Sequence, residues 1–504
     1  MRNLIRSVTA LACLALCSAP AQALEEVGVE QPLVENKLTV KLSELKNPEA
    51  LLQGSSDLAE LDRASDGQLG RKLLKLLNQP VPVSFRQLAE SSVGSPLLEQ
   101  ALLLVSSFGT VEGRSPDLSG ATLKQALDKA TAESADGHPT LLQLMEAIPG
   151  ERVQLNLVQA QVVLSRMLRQ RSRADQLMAA AVPAPAAMVP AARSSVAVSR
   201  PSLGVPHRAE PVELVVMKPS SGAQRGLVVI SHGLWDSPTN FEGWGQRLAE
   251  QGYAVVLPRH PGSDQHQQHE VLSGQAPPPS PEELALRARD VTAINDAVAQ
   301  GRLPDLAGVS ADRVVVIGHS WGATTALQLA GVKPVDDALR ARCDNLSDPD
   351  RNLSWTLQCS WISGVGQAAV DDPRVIAVAA VSPPVSLLFP KGAAQQITGR
   401  VLLVSGTRDW VVPPDPEAVG PFSRANPLGN QLVLVQGGDH FNLRPGQAPD
   451  GGPLAPLVVA WTERAFAAGP KVKPAPGAAP LLPPGSWGSN GKPMADVTQP
   501  VQGR

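Results

Sequence analysis

Apolar residues along the second half of this chain come in short unbroken runs. Leu227–Ile230, Tyr253–Leu257, Val314–Ile317, Val375–Val381, Val401–Val404 and Gln431–Val435 are rich in β-branched side chains and carry almost no polar interruption. A strand wetted on one face would alternate, so unbroken runs of this length predict strands covered on both faces. Between them lie longer stretches with helical spacing, among them Phe241–Gln251, Ser280–Gln300, Ala323–Ala330 and Leu454–Ala468. Ser280, Pro281 and Glu283 read as a capping box opening the second of these. Strand and helix in alternation predict an α/β class with a mostly parallel, doubly wound sheet over about residues 207–469.

The first half has a different rhythm. Two alternating runs, Leu38–Leu42 and Arg152–Leu157, bracket amphipathic stretches at Gly70–Leu77, Ser95–Leu104 and Thr122–Leu127. Ser95 followed by Pro96 reads as a helix start. Residues 24–180 are therefore expected to form a small, mainly helical domain, and they hold no catalytic constellation. Residues 181–206 are rich in Ala, Pro and Ser and read as a linker. Residues 470–504 are rich in Pro and Gly and are expected to be disordered. An insertion, 332–371, separates the Ala323–Ala330 helix from the next strand.

The start of the chain changes the picture of where the protein works. Arg2 and Arg6, the apolar Leu11–Cys17 and the small-x-small Ala21-Gln22-Ala23 read as a signal peptide cleaved after Ala23. A lipid anchor on Cys17 is disfavoured by the bulky Leu16 before it. The expectation is a periplasmic or secreted protein without a transmembrane span. Only Cys343 and Cys359 then remain, and they read as one disulfide, with two buried thiols as the alternative.

Charge is near balance, with 44 Lys and Arg against 47 Asp and Glu, and aromatics make up 3% of residues. Neither favours a nucleic-acid partner. No His or Cys pair near Cys343 and Cys359 has metal-ligand spacing, so neither a metal nor a cofactor is expected.

The chemistry sits at the ends of the strands. Val314–Ile317 runs into Gly318-His319-Ser320-Trp321-Gly322, and a helix-compatible stretch follows. Strand, Gly-x-Ser-x-Gly and helix in succession predict a sharp elbow presenting the Ser320 hydroxyl. A serine nucleophile needs a base and an acid that orients it, in the chain order Ser, Asp, His. Asp409 follows the strand Val401–Val404, and His440 follows Gln431–Val435 and is the only histidine beyond Ser320. Asp371 and Asp372 precede their strand, and Asp439 reads as a turn residue. The Ser231-His232-Gly233 turn suggests oxyanion donors at the backbone N–H groups of Leu234 and Trp321. His260 reads as structural. Trp235, Trp410 and Phe441 adjoin these elements and are candidates for the substrate pocket, with Trp321 as a further wall.

With the elbow, Ile230–Gly233 and Pro258-Arg259-His260-Pro261-Gly262-Ser263-Asp264, the chain resembles α/β-hydrolases of the dienelactone-hydrolase and platelet-activating-factor-acetylhydrolase-like group. It is similar in particular to cyanobacterial members with a helical N-terminal domain of unknown function. The resemblance implies an α/β-hydrolase fold and cofactor-free hydrolysis of small-molecule or lipid esters by Ser320, Asp409 and His440. Dienelactone hydrolases proper use a cysteine nucleophile, and the acetylhydrolases place the acid after the strand that here ends in Val381-Ser382-Pro383. A serine peptidase or amidase on the same fold, and a catalytically idle periplasmic binding or scaffold protein, are the competing expectations.

Overall fold

The computed structural model describes residues 24–30, 37–81, 83–106, 109–111, 119–150, 152–222, 225–335, 339–389, 397–425, 431–446, 448, 450–468, 480–483, 485, 487–489 and 491–502. The expected signal peptide, residues 1–23, lies outside them. The chain divides into two compact units. The first runs up to Gly94 and includes Ala101–Val162; the second takes Ser95–Gln100 and everything from Val163 onward. The division falls inside the long helix Leu157–Ala180, ahead of the expected boundary at 180.

The first unit is mainly helical around a four-stranded sheet. Its strands are β1 (Glu26–Glu30), β2 (Lys37–Lys41), β3 (Gly109–Val111) and β4 (Arg152–Asn156), in the order β2-β1-β4-β3. Its helices start where polar caps meet apolar stripes. Asn47, Ser56, Ser119 and Thr140 each accept from a backbone N–H two or three residues into the following helix, and Thr140 with Gln143 forms a full capping box.

The second unit is built on a ten-stranded sheet. The strands are β5 (Val196–Ser199), β6 (Ser202–Leu203), β7 (Val212–Pro219), β8 (Leu227–Ser231), β9 (Ala254–Pro258), β10 (Val314–His319), β11 (Val375–Val381), β12 (Arg400–Gly406), β13 (Gln431–Val435) and β14 (Met494–Asp496). Along β9-β8-β10-β11-β12-β13 every neighbour is parallel. Antiparallel β7 and β5 close one side and antiparallel β14 the other. The unbroken apolar runs have the expected cause. Val314 and Val316 of β10 point into one buried core, and Val315 and Ile317 into a second on the opposite face. Helices cover both faces, so no residue of β8, β9, β10, β11 or β13 is left to face water.

Three expectations are corrected here. The tail is not wholly disordered: β14 pairs with β13 in the register Leu434↔Ala495, and Gln431 Nε2 donates to Asp496 Oδ2 at 2.8 Å. An edge strand's free N–H and C=O groups supply a partner that composition cannot reveal. The linker is also partly strand, because β5 and β6 both pair with β7. The capping box at Ser280 does not form. The helix begins at Glu283 without a side-chain cap, because the Glu283 carboxylate turns inward to hydrogen-bond Arg208.

Candidate active site

Strand β10 ends at His319, and Ser320 turns the chain at φ 54°, ψ −124° into the helix Trp321–Leu329. That left-handed φ is strained for a serine. Its N–H is anchored by the Val381 carbonyl of β11 at 2.9 Å. The glycines of the motif are required by contact. A Cβ on Gly318 would overlap the Gly322 carbonyl, and one on Gly322 would overlap the Ser231 carbonyl of β8.

The structure brings the three expected residues together from the ends of three strands. Ser320 Oγ lies 3.1 Å from His440 Nε2. His440 Nδ1–H donates to Asp409 Oδ2 at 3.0 Å. The other carboxylate oxygen, Oδ1, accepts the backbone N–H groups of Val411 and Val412 at 3.0 and 2.8 Å, which fixes the plane of the acid. With Nδ1 protonated toward Asp409, Nε2 is left to accept the serine proton. The rival acids lie elsewhere. Asp372 is tied to Arg374 and Asn295 at the start of β11, and the Asp439 carboxylate closes a turn on the N–H groups of Phe441 and Asn442.

A second Ser–His–Asp chain lies alongside. Ser231 Oγ donates to His260 Nε2 at 2.9 Å, and His260 Nδ1 meets Asp290 Oδ2 at 2.8 Å. Asp290 also takes Arg208 through two nitrogens and His207 Nε2. Burial alone would raise the Asp290 carboxyl; hydrogen bonds from His207, His260 and Arg208 outweigh it and hold the carboxyl far below the usual range. Burial, then the charge of Arg287, pulls His260 down to about 4, so the ring is neutral at pH 7. This hydrogen-bond and ion-pair network has the connectivity of a catalytic triad, and sequence spacing gave no sign of it. Two such chains on this fold are consistent with a serine-hydrolase mechanism and support esterase- or lipase-type activity.

The candidate oxyanion donors sit beside Ser320. Gly233 approaches so closely that an added Cβ would lie 3.1 Å from Ser320 Cβ. Two residues on, Trp235 is at φ 54° with its N–H on the Ser263 carbonyl at 2.8 Å. Among the described residues, neither the Leu234 nor the Trp321 backbone N–H has an acceptor within the chain. His319, the variable residue of the motif, donates from Nε2 to the His440 carbonyl at 2.8 Å and braces the loop that carries the base. Burial, then the neighbouring His440, keeps its ring well below the ordinary histidine range.

The aromatic candidates separate. Trp410 and Phe441 are each 53% exposed. Trp235 is half-buried and donates its indole N–H to Gln267 Oε1 at 2.6 Å. Trp321 is a correction: its ring is fully buried, 4.8 Å from Trp361, and forms no exposed wall. Helical φ/ψ at the first position after the elbow sends this side chain into the core. Trp361 belongs to the insertion, whose two short helices, Leu339–Asp344 and Ser354–Ser360, are joined by the Cys343–Cys359 disulfide. The buried Glu417 fastens it further. Its carboxylate accepts from Asn352, Ser354 and Gln358 of the insertion and from Val385 and Ser386 beyond β11.

Among the described residues no group of three His, Cys, Asp or Glu side chains could hold a metal ion. No described helix is long and apolar enough to cross a membrane. No curated protein matches the chain. Residues 226–346 match the model of a family described as alpha/beta hydrolase fold. That stretch includes Ser231, His260, Asp290 and the Ser320 elbow, while Asp409 and His440 lie beyond it. On this match and the observed sheet, the chain contains an α/β-hydrolase fold domain preceded by a largely helical N-terminal region.

Proposed function

We propose that this chain is an exported carboxylic-ester hydrolase whose nucleophile, base and acid are Ser320, His440 and Asp409. The observation that carries the choice is the elbow. Ser320 stands on a strained turn in line with His440 Nε2 and is 8% exposed, whereas Ser231, at the end of strand β8, is 0% exposed. His260 and Asp290 are enclosed as well. An ester must reach the attacking oxygen, so a sealed chain supports structure and an accessible one supports turnover.

In the proposed reaction Ser320 Oγ attacks the ester carbonyl as its proton passes to His440 Nε2. The Leu234 and Trp321 N–H groups hold the oxyanion. Collapse expels the alcohol, which takes the proton from His440 and leaves an acyl group on Ser320. Water, deprotonated by His440, then releases the acid and restores the serine. Asp409 keeps the ring in the tautomer that each step needs.

Trp410, Phe441 and Trp235 offer apolar surface for an acyl or alcohol group, and each buried methylene contributes about 0.8 kcal/mol. The disulfide-tied insertion, polar around Asp344-Asn345-Leu346-Ser347-Asp348, limits how far that gain extends. Short to medium acyl esters are the expected substrates. The disulfide also supports export, and the resemblance to platelet-activating-factor-acetylhydrolase-like enzymes supports small lipid esters. The test is kcat/KM on p-nitrophenyl esters from acetate to palmitate, with fluorophosphonate labelling of Ser320. Activity peaking at short chains supports the proposal. A steady rise to palmitate with interfacial activation makes it a lipase, faster cleavage of matched amides makes it a peptidase or amidase, and absent labelling makes it a scaffold.

A further inference from the structure

Arg287 is fully buried in the helix Glu283–Ala299. Among the described residues no carboxylate lies within ion-pair distance of it. Its acidic neighbours Glu283 and Asp290 are both held by Arg208. A buried cation without a counter-ion is costly, and a fold has no reason to keep one for stability alone. Two of its nitrogens, Nε and Nη1, have no partner, and burial pulls its pKa down to about 9.

Its polar contacts converge on one turn: Nη2 lies 3.1 Å from His232 Nδ1 and equally close to the next residue's carbonyl. Arg287 Nη2 donates to the Gly233 carbonyl at 3.1 Å. That carbonyl belongs to the same peptide unit as the Leu234 N–H. A second donor meets the same oxygen: His232 Nδ1–H, at 2.7 Å. The tautomer is set because His232 Nε2 accepts the His260 N–H at 3.2 Å. The guanidinium also lies 4.7 Å over the ring of Trp321, whose N–H is the other candidate donor. We infer that Arg287 is a positioning residue for the oxyanion hole: it fixes and polarises the Gly233–Leu234 peptide while packing on the residue that supplies the second donor. A peptide whose carbonyl accepts from a cation is the better donor at its N–H, because hydrogen bonds in a chain strengthen one another. The cation's cost in burial is thereby offset at the transition state.

This inference rests on Ser320 being the nucleophile, and the experiment separates the two. Arg287→Met and Arg287→Lys are compared with wild type for kcat, KM, thermal midpoint, fluorophosphonate labelling rate and affinity for an alkyl boronic acid, which adds to the serine as a tetrahedral anion. All rates are normalised to titrated active sites, so that a misfolded fraction does not count. For Arg287→Met the expectation is a loss of about 10–100-fold in kcat and labelling rate, somewhat less than removing a direct oxyanion donor. Boronate affinity should weaken by the same factor, with KM within about threefold and the thermal midpoint unchanged or higher. Arg287→Lys should recover part of the loss. Wild-type kcat and boronate affinity in Arg287→Met would overturn the inference while leaving Ser320 in place. So would a kcat loss that vanishes on normalisation. A wild-type protein that labels at a residue other than Ser320, or not at all, would remove the reading of the site and this inference with it.

Discussion

At the scale of single residues, the two Ser–His–Asp chains invite a direct comparison. Ser320→Ala should abolish fluorophosphonate labelling and lower kcat by at least about 10³-fold with the fold intact. Ser231→Ala should keep labelling at Ser320 and hold kcat within about tenfold, because it removes one buried hydrogen bond rather than the attacking oxygen. Asp409→Asn should cost nearly as much as Ser320→Ala, since an amide at that place favours the wrong tautomer of His440. If Asp409→Asn kept full activity while a change at Asp290 abolished it, the enclosed chain would be the reacting one. Ser320, Asp409 and His440 were legible because each follows a β-branched apolar run, and strand ends are where such a sheet gathers its chemistry. His260, Asp290 and Arg287 were not. Their meeting depends on how far β9 and the helix Glu283–Ala299 stand from β8, a distance no local pattern encodes. Trp321 misled for a related reason, since being next to the serine in sequence says nothing about which way a ring turns.

At the scale of elements, the elbow is over-determined. Gly318 abuts Gly322, and Gly322 abuts the carbonyl of Ser231 in the neighbouring strand. Gly322→Ala should therefore force β8 and the helix Trp321–Leu329 apart, costing roughly 1–3 kcal/mol or more. Circular dichroism melts should show the lower midpoint, and labelling of Ser320 should slow at least in proportion. An alanine variant with unchanged melting and labelling would mean that the turn is looser than its contacts imply. The parallel strands were readable because burial on both faces leaves an unbroken apolar signature. β5, β6 and β14 were not, because each owes its order to hydrogen bonds from a neighbour. The failed capping box at Ser280 is the same lesson at a helix end: a charge partner, Arg208, outcompetes the local backbone for Glu283.

At the scale of the whole molecule, three enclosed imidazoles set the response to acid. Burial, reinforced by Arg287, lowers His260 from 6.5 to about 4. Burial first, and a neighbouring cation or imidazole second, lowers His232 and His319 too. In the window between 6.5 and about 4 the unfolded chain binds protons on these rings that the folded one refuses. Unfolding thus takes up protons, and stability falls as pH drops through that window. Glu283 and Asp415 oppose this, because burial raises both carboxyls despite Arg208 and Arg173, but they are two groups against three. Thermal midpoints should decline steadily from about pH 6.5 toward about pH 4. A flat profile there would show that the rings are hydrated and charged in the folded state.

The place of β14 bears on how the protein is made. Synthesis delivers the strands in the order of the chain, so β13 emerges with its outer edge open and stays so until Met494–Asp496 arrives. In the meantime the nascent molecule carries a strand that is apolar but for Gln431, with unanswered peptide groups, the kind of margin to which a second copy adheres. The proline-rich stretch between them makes that interval long. For this sheet, the hazardous interval runs from the completion of β13 to the arrival of β14, after every other strand of the sheet has been made.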